Sequence, residues 1–230
     1  KLASVQIDAA ALLVEPQEKN NELNAAQQTL DKFSQTYQQH PLRAQMYLER
    51  SRRKAIAGDL GGAMSDLAKF QGDPYRSSPL APIAFIRLAG YHRQQNRHDE
   101  ALKTISQCLD TYEAKSLGAD WVPTAYYLRG VALLDLNKPA LARASLAKLL
   151  QKFPNSPAAA DGLWRLAQCL RQELPPVWEK SRRAWEDANL KPEEREALAK
   201  TLKDLLAELD NAAERCETAA QAVRGENVPE

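Results

Sequence analysis

The apolar positions of the chain recur in a fixed order between residues 47 and 149. Large side chains at Tyr47, Phe85 and Tyr126 are each followed, four residues on, by a small one: Ser51, Ala89 and Gly130. Twelve residues beyond each small residue stands an alanine, Ala63, Ala101 and Ala142. Leu67, Ile105 and Leu146 follow these alanines by four positions, and Phe70, Cys108 and Leu149 by seven. Such spacing gathers the residues on one face of a helix. Five residues before each alanine comes Gly58, Asn96 or Asn137, residue types that tolerate the left-handed backbone at a helix end. The order large, small, turn, small, large predicts a helix hairpin written three times.

Weaker copies flank these three. Leu2 to Val14 reads as a first helix ended by Glu15-Pro16, and Asn20 to Gln39 as its partner, carrying Ala26, Leu30 and Phe33. A fifth hairpin begins at Phe153-Pro154-Asn155-Ser156-Pro157, with Ser156 as cap and Pro157 at the first helical position. Pro175-Pro176 are expected to stop that helix, leaving Trp178 and Trp185 on the next. From Pro192 to about Arg224 the period changes. Leu198, Leu202, Leu205, Leu209, Ala212, Cys216, Ala219 and Val223 alternate steps of four and three, a heptad seam. It suits a capping helix laid along the last hairpin, or a coiled coil through which Leu198, Leu202, Leu205 and Leu209 mediate self-association. The expected organisation is a repeat domain over 1–190 and a helix with its tail over 191–230.

Residues Tyr126-Tyr127-Leu128-Arg129-Gly130, Ala142, Leu146, Leu149 and Pro154 resemble the signature of the tetratricopeptide repeat. Phe85-Ile86-Arg87-Leu88-Ala89 and Leu163-Trp164-Arg165-Leu166-Ala167 repeat its first half. The small residues 51, 89, 130 and 167 are 38, 41 and 37 apart, against about 34 in the family, so longer helices or loops are expected. The resemblance implies an all-α, right-handed superhelical solenoid of about five helix hairpins plus a long C-terminal helix. It also implies a protein that binds other proteins.

Composition supports that reading. The chain has 230 residues, 44% of them hydrophobic, and only 9 glycines. Lys and Arg number 31 against 30 Asp and Glu, a net charge of +1. No whole-molecule field therefore draws the chain to nucleic acid or to an anionic membrane. The cluster Arg50, Arg52, Arg53 and Lys54 spreads around a helix rather than forming a stripe, and reads as solvated charge. No apolar run reaches the roughly 18 residues of a spanning helix, so no insertion into a membrane is expected. Cys108, Cys169 and Cys216 are an odd set without metal-ligand spacing and read as buried small hydrophobes. His98 stands beside Asp99 where a helix should start. No HExxH, phosphate-loop or GxSxG pattern occurs. Neither catalysis, nor a cofactor, nor a metal is expected.

In the tetratricopeptide family the first helix of each hairpin lines the concave face, and its positions beside the packing residues contact ligand. Carried onto this chain, that implies partner contacts at Leu48, Arg52, Ile86, Arg93, Tyr127, Leu134, Trp164, Gln168 and Arg171. Aromatic residues next to arginines are the side chains favoured at binding hot spots. Tyr127 and Trp164 suit inter-repeat packing equally well. The junction Phe153–Leu163 resembles that of bacterial cell-envelope members, the Tol–Pal-associated coordinator and the lipoprotein of outer-membrane barrel assembly. An envelope or periplasmic setting is implied. A chain that starts at Lys1 rather than Met is expected of a processed exported protein, and equally of an excised segment.

Overall fold

The computed structural model describes residues 1–115, 119–187 and 191–226, and the side chains among them other than those of Trp185 and 219–226. Among the described residues there is no strand. Helices α1 (Leu2–Leu12), α2 (Pro16–Thr36), α3 (Arg43–Ile56), α4 (Leu60–Ala68) and α5 (Ala81–Gln94) are followed by α6 (His98–Tyr112), α7 (Trp121–Asp135), α8 (Pro139–Lys152), α9 (Pro157–Glu186) and α10 (Pro192–Glu226). The chain forms two compact units, Lys1–Cys108 and Leu109–Glu230. In the first, α1 packs on α2 and α3, and α3 on α4, which also meets α5. In the second, α7 packs on α8 and α9, α8 on α9, and α9 on α10. The chain is all-α, and its helices pair as the repeat requires.

The three predicted turns share one geometry. Gly58 has φ 87, Asn96 φ 58 and Asn137 φ 55. Around each, two backbone bonds close the preceding helix. Gly58 N–H donates to Ala55 at 3.0 Å and Asp59 N–H to Lys54 at 2.9 Å. Asn96 and Arg97 donate to Arg93 and His92, both at 2.9 Å. Asn137 and Lys138 donate to Leu134 and Leu133, again at 2.9 Å. This is the Schellman pairing, which satisfies carbonyls that a helix end otherwise leaves bare. Asp59 then caps α4, its Oδ1 accepting from Gly62 N–H at 2.8 Å.

The predicted face residues are the core. Phe70, Ile105, Cys108, Leu146 and Leu149 are fully buried, and Tyr47, Phe85, Tyr126 and Leu67 nearly so. The small positions Ser51, Ala63, Ala89, Ala101 and Ala142 are buried with them. At Gly130 and Gly162 the helices approach closely: an added Cβ would stand 2.6 Å from Cγ of Leu146 across the α7–α8 pair, or 2.6 Å from Cδ2 of Leu149 across the α8–α9 pair. Burial of Cys108 and Cys169 pushes both thiols up to about 12, so they behave as small hydrophobes.

Three expectations are corrected. Pro16 opens α2 at its first turn, where a missing N–H costs nothing. Pro175 and Pro176 do not stop the fifth hairpin's first helix; they lie inside α9, which runs 30 residues to Glu186. Packing of α9 along both α8 and α10 overrides the local preference. Trp178 and Trp185 therefore belong to α9, and the heptad helix α10 is the second member of the last pair. Ser156 precedes α9 as expected, but its hydroxyl donates to the Phe153 carbonyl at 2.9 Å and makes no cap bond.

Gly130→Ala is expected to lower unfolding free energy by about 1–2 kcal/mol, because overpacking against Leu146 exceeds the helix propensity gained. Gly90→Ala, with nothing within 4 Å of an added Cβ, should be neutral or stabilising. Urea titration of both variants checks this; equal effects would contradict the close-approach account.

Candidate functional site

Four of the expected partner contacts, Leu48, Ile86, Tyr127 and Trp164, occupy one register, just after the large core residue of each first helix. Their exposure differs from repeat to repeat. Leu48 is buried at 5% exposure, Ile86 and Tyr127 are half-buried, and Trp164 is 63% exposed. Seven residues further on, Arg93 and Leu134 are half-buried and Arg171 is exposed. Arg52 is ion-paired with Asp8 of α1. In the first unit, then, Leu48 is packed into the core and Arg52 is tied to the neighbouring helix.

The second unit brings three of these residues together. Trp164, Gln168 and Arg171 line one hollow of about 460 Å³ on the outer face of α9, with Arg165, Ala167 and Gln172. Spacings of four and three keep them on one stripe, while Leu163, Leu166, Cys169 and Leu170 turn inward and are buried. Arg165 Nη1 donates to Gln168 Oε1 at 2.9 Å, which orients the amide at the centre of the hollow. Pro175 and Pro176 carry no N–H. The carbonyls of Arg171 and Gln172 therefore lack their usual helical donors at the lower end of the same stripe. The hollow thus offers an aromatic face, an oriented amide and a guanidinium side by side.

The basic cluster of α3 is not solvated charge. Arg50 Nε donates to Asp66 Oδ2 at 2.8 Å, and Lys54 Nζ lies 2.8 Å from the same oxygen. Arg53 Nε donates to the Leu23 carbonyl at 3.1 Å. Counting positions around one helix could not reveal acceptors on its neighbours. Burial alone pushes the Asp66 carboxyl up, yet the bonds from Arg50 and Lys54 prevail and hold it below its ordinary value.

A pattern unread in the sequence becomes visible here. Three residues after each repeat alanine stands a buried polar side chain: Asp66, Thr104 and Ser145, each under 5% exposed. In two repeats an arginine reaches it from three residues after the large aromatic. Arg50 lies 5.0 Å over the Tyr47 ring and bonds Asp66. Arg129 lies 5.0 Å over the Tyr126 ring and donates to Ser145 Oγ at 2.9 Å. The signal was the polar residue recurring at a core-facing register. Glu113 adds a third element in the second unit, accepting from the Tyr126 hydroxyl at 2.7 Å and from Lys152 at 2.8 Å.

The seam of α10 packs on α9. Leu205 and Ala212 are buried, and Leu198, Leu202, Leu209 and Cys216 half-buried, whereas Ala219 and Val223 lie outside the described side chains. Arg143 of α8 fastens this pair, donating to Glu173 at 3.0 Å and to Glu208 at 2.6 Å. No helix among the described residues is long and apolar enough to cross a membrane.

Helix hairpins closed by Schellman turns and packed through small residues define a helical repeat protein. A profile of the tetratricopeptide repeat-like domain matches residues 3–163, and the chain belongs to that family. A comparison with curated proteins finds no match. Two solved structures are similar in fold, both of nearly identical TPR-like repeats from a Podosopora anserina protein described as a kinesin light chain. The Q17M form is 16% identical with a TM-score of 0.57, covering 92% of this chain and 99% of its own. The other is 16% identical with a TM-score of 0.56, covering 88% and 94%. The fold is one that mediates protein–protein interaction.

The lowered Asp66 carboxyl means that its contribution to stability is present above its unfolded value near 3.8 and is lost as pH falls through the folded value. Asp66→Asn is expected to cost about 2 kcal/mol at pH 7. The gap between parent and variant should narrow as urea titrations are moved from pH 6 towards pH 3; a gap independent of pH would show that the ion pairs contribute nothing.

Proposed function

We propose that this protein is a docking scaffold that holds an extended or helical segment of a partner protein on the exposed face of α9. The observation that carries this reading is Trp164. A tryptophan 63% exposed and seven residues from an exposed arginine offers most of its ring to a partner. Burying such a ring against a partner releases several kcal/mol, by the usual area relation. Arg171 then takes a carboxylate or carbonyl of the same segment. Ile86 with Arg93, and Tyr127 with Leu134, are secondary contacts on their own helices, each pair seven residues apart on one face. The role is binding rather than catalysis.

The junction at Phe153–Leu163 supports a setting in the bacterial cell envelope, where repeat proteins of this type join other envelope components.

The double variant Trp164→Ala, Arg171→Ala should keep the parent's stability within about 0.5 kcal/mol, as exposed residues do. In pull-downs from separated envelope and cytosolic fractions it should lose a partner that the parent retains from the envelope fraction. Equal retention by both chains would overturn the α9 assignment, and retention from the cytosolic fraction alone would overturn the envelope setting.

A further inference from the structure

A second surface lies at the other end of α9, opposite the start of α10. A cleft of about 460 Å³ opens there, with Trp178, Ala184, Ala199, Leu202 and Leu206 as its apolar walls. Trp178 is 59% and Leu206 43% exposed, so the intramolecular pairing that buries Leu205 leaves this strip uncovered. The strip is long. Arg195, Ala199, Leu202 and Leu206 follow one face of α10 over twelve residues, about 16 Å at the rise of an α-helix. Trp178, Ser181 and Arg182 face it from α9. Two parallel walls of this length accept the apolar stripe of a third helix.

The polar groups around the cleft select the charge of that helix. Arg182 and Glu186 on its rim are ion-paired, Arg182 also with Glu179, so the charge facing a partner comes from Lys203 and from Arg195, whose Nη2 donates to the Asp187 carbonyl. Two of its polar atoms, Nε of Arg195 and Oγ of Ser181, are buried with no hydrogen-bond partner within the chain. Nε–H is a donor only, and leaving such an atom unpaired is costly. A carboxylate brought in beside an apolar stripe meets the half-buried Arg195 guanidinium and the exposed Lys203 ammonium.

We propose that the α9–α10 cleft is a second docking site, whose occupant is an amphipathic partner helix of about three turns carrying leucine-like residues flanked by Asp or Glu. It is independent of the Trp164 face, so either site can exist without the other. An acidic flank meets the Arg195 guanidinium and the Lys203 ammonium while the apolar stripe covers Trp178 and Leu206. The cationic rim steers association and fixes partner choice more than it adds affinity.

The test uses two fluorescein-labelled helical peptides that share leucines at i, i+3, i+7 and i+10, one flanked by glutamates and one by lysines. Anisotropy titrations are run against the full chain. The acidic peptide is expected to bind at least tenfold more tightly than the basic one. Leu206→Glu should weaken it at least tenfold, with Leu206→Ala as a milder control, both checked for parental helicity and thermal unfolding. Arg195→Glu with Lys203→Glu should reverse the preference. The Trp164→Ala, Arg171→Ala chain should bind the acidic peptide as the parent does. Equal binding of both peptides, binding unaffected by Leu206→Glu, or no binding overturns the proposal. So does a concentration-dependent dimer in sedimentation that Leu206→Glu dissolves, which would assign the cleft to a second copy. Binding of an alkyl carboxylate such as dodecanoate in place of either peptide would assign it to a lipid and overturn it as well.

Discussion

The fold depends on how closely two helices can approach. At Gly130 there is no room for a single methyl group beneath Leu146, and Ser51 and Ala89 are the small, buried residues at the equivalent positions. Such contact is reached only if the turn delivers the second helix at a fixed angle. The left-handed residue at Gly58, Asn96 or Asn137 does so, and its two backbone bonds leave the helix end satisfied. Turn and contact are therefore one device. With the inner face filled in this way, the outward stripe of α9 is left open, and Trp164 and Arg171 stand there.

Close packing leaves little space for polar groups, yet each repeat buries one. Asp66, Thr104 and Ser145 occupy the same register, and an arginine laid across an aromatic ring reaches it in two of the three. The arginine stem and ring cover each other while the guanidinium satisfies the buried oxygen. The acid at Asp66 calls for two cations, Arg50 and Lys54, whereas the neutral hydroxyl of Ser145 takes one and donates a hydrogen bond to the Tyr126 carbonyl at 3.2 Å. One geometric solution thus tolerates different chemistry, as a repeat that must vary its surface requires.

Features that depend on neighbours in sequence could be read from the sequence. The turns at Gly58, Asn96 and Asn137 and the face through Phe70, Cys108 and Leu149 follow from spacing, because both rest on contacts within one hairpin. Features decided across helices could not. Pro175-Pro176 look like a stop, and only the packing of α9 on α8 and α10 carries the helix through them. Arg50 and Lys54 look solvated until Asp66 is placed opposite. At the candidate site the register was legible but the exposure was not. Leu48, Ile86, Tyr127 and Trp164 are equivalent by position, yet they pass from buried to open, and only the last stands out with Arg171 beside it.

The most direct test of a docking role for α9 is photo-crosslinking in the cells that make the protein. A photoreactive amino acid would replace Gln168, between Trp164 and Arg171, and in a control chain the exposed Glu18 of α2. A discrete adduct of one partner at position 168, absent at position 18, is the predicted result. No adduct at 168, or the same adducts at both positions, would contradict a specific docking face on α9.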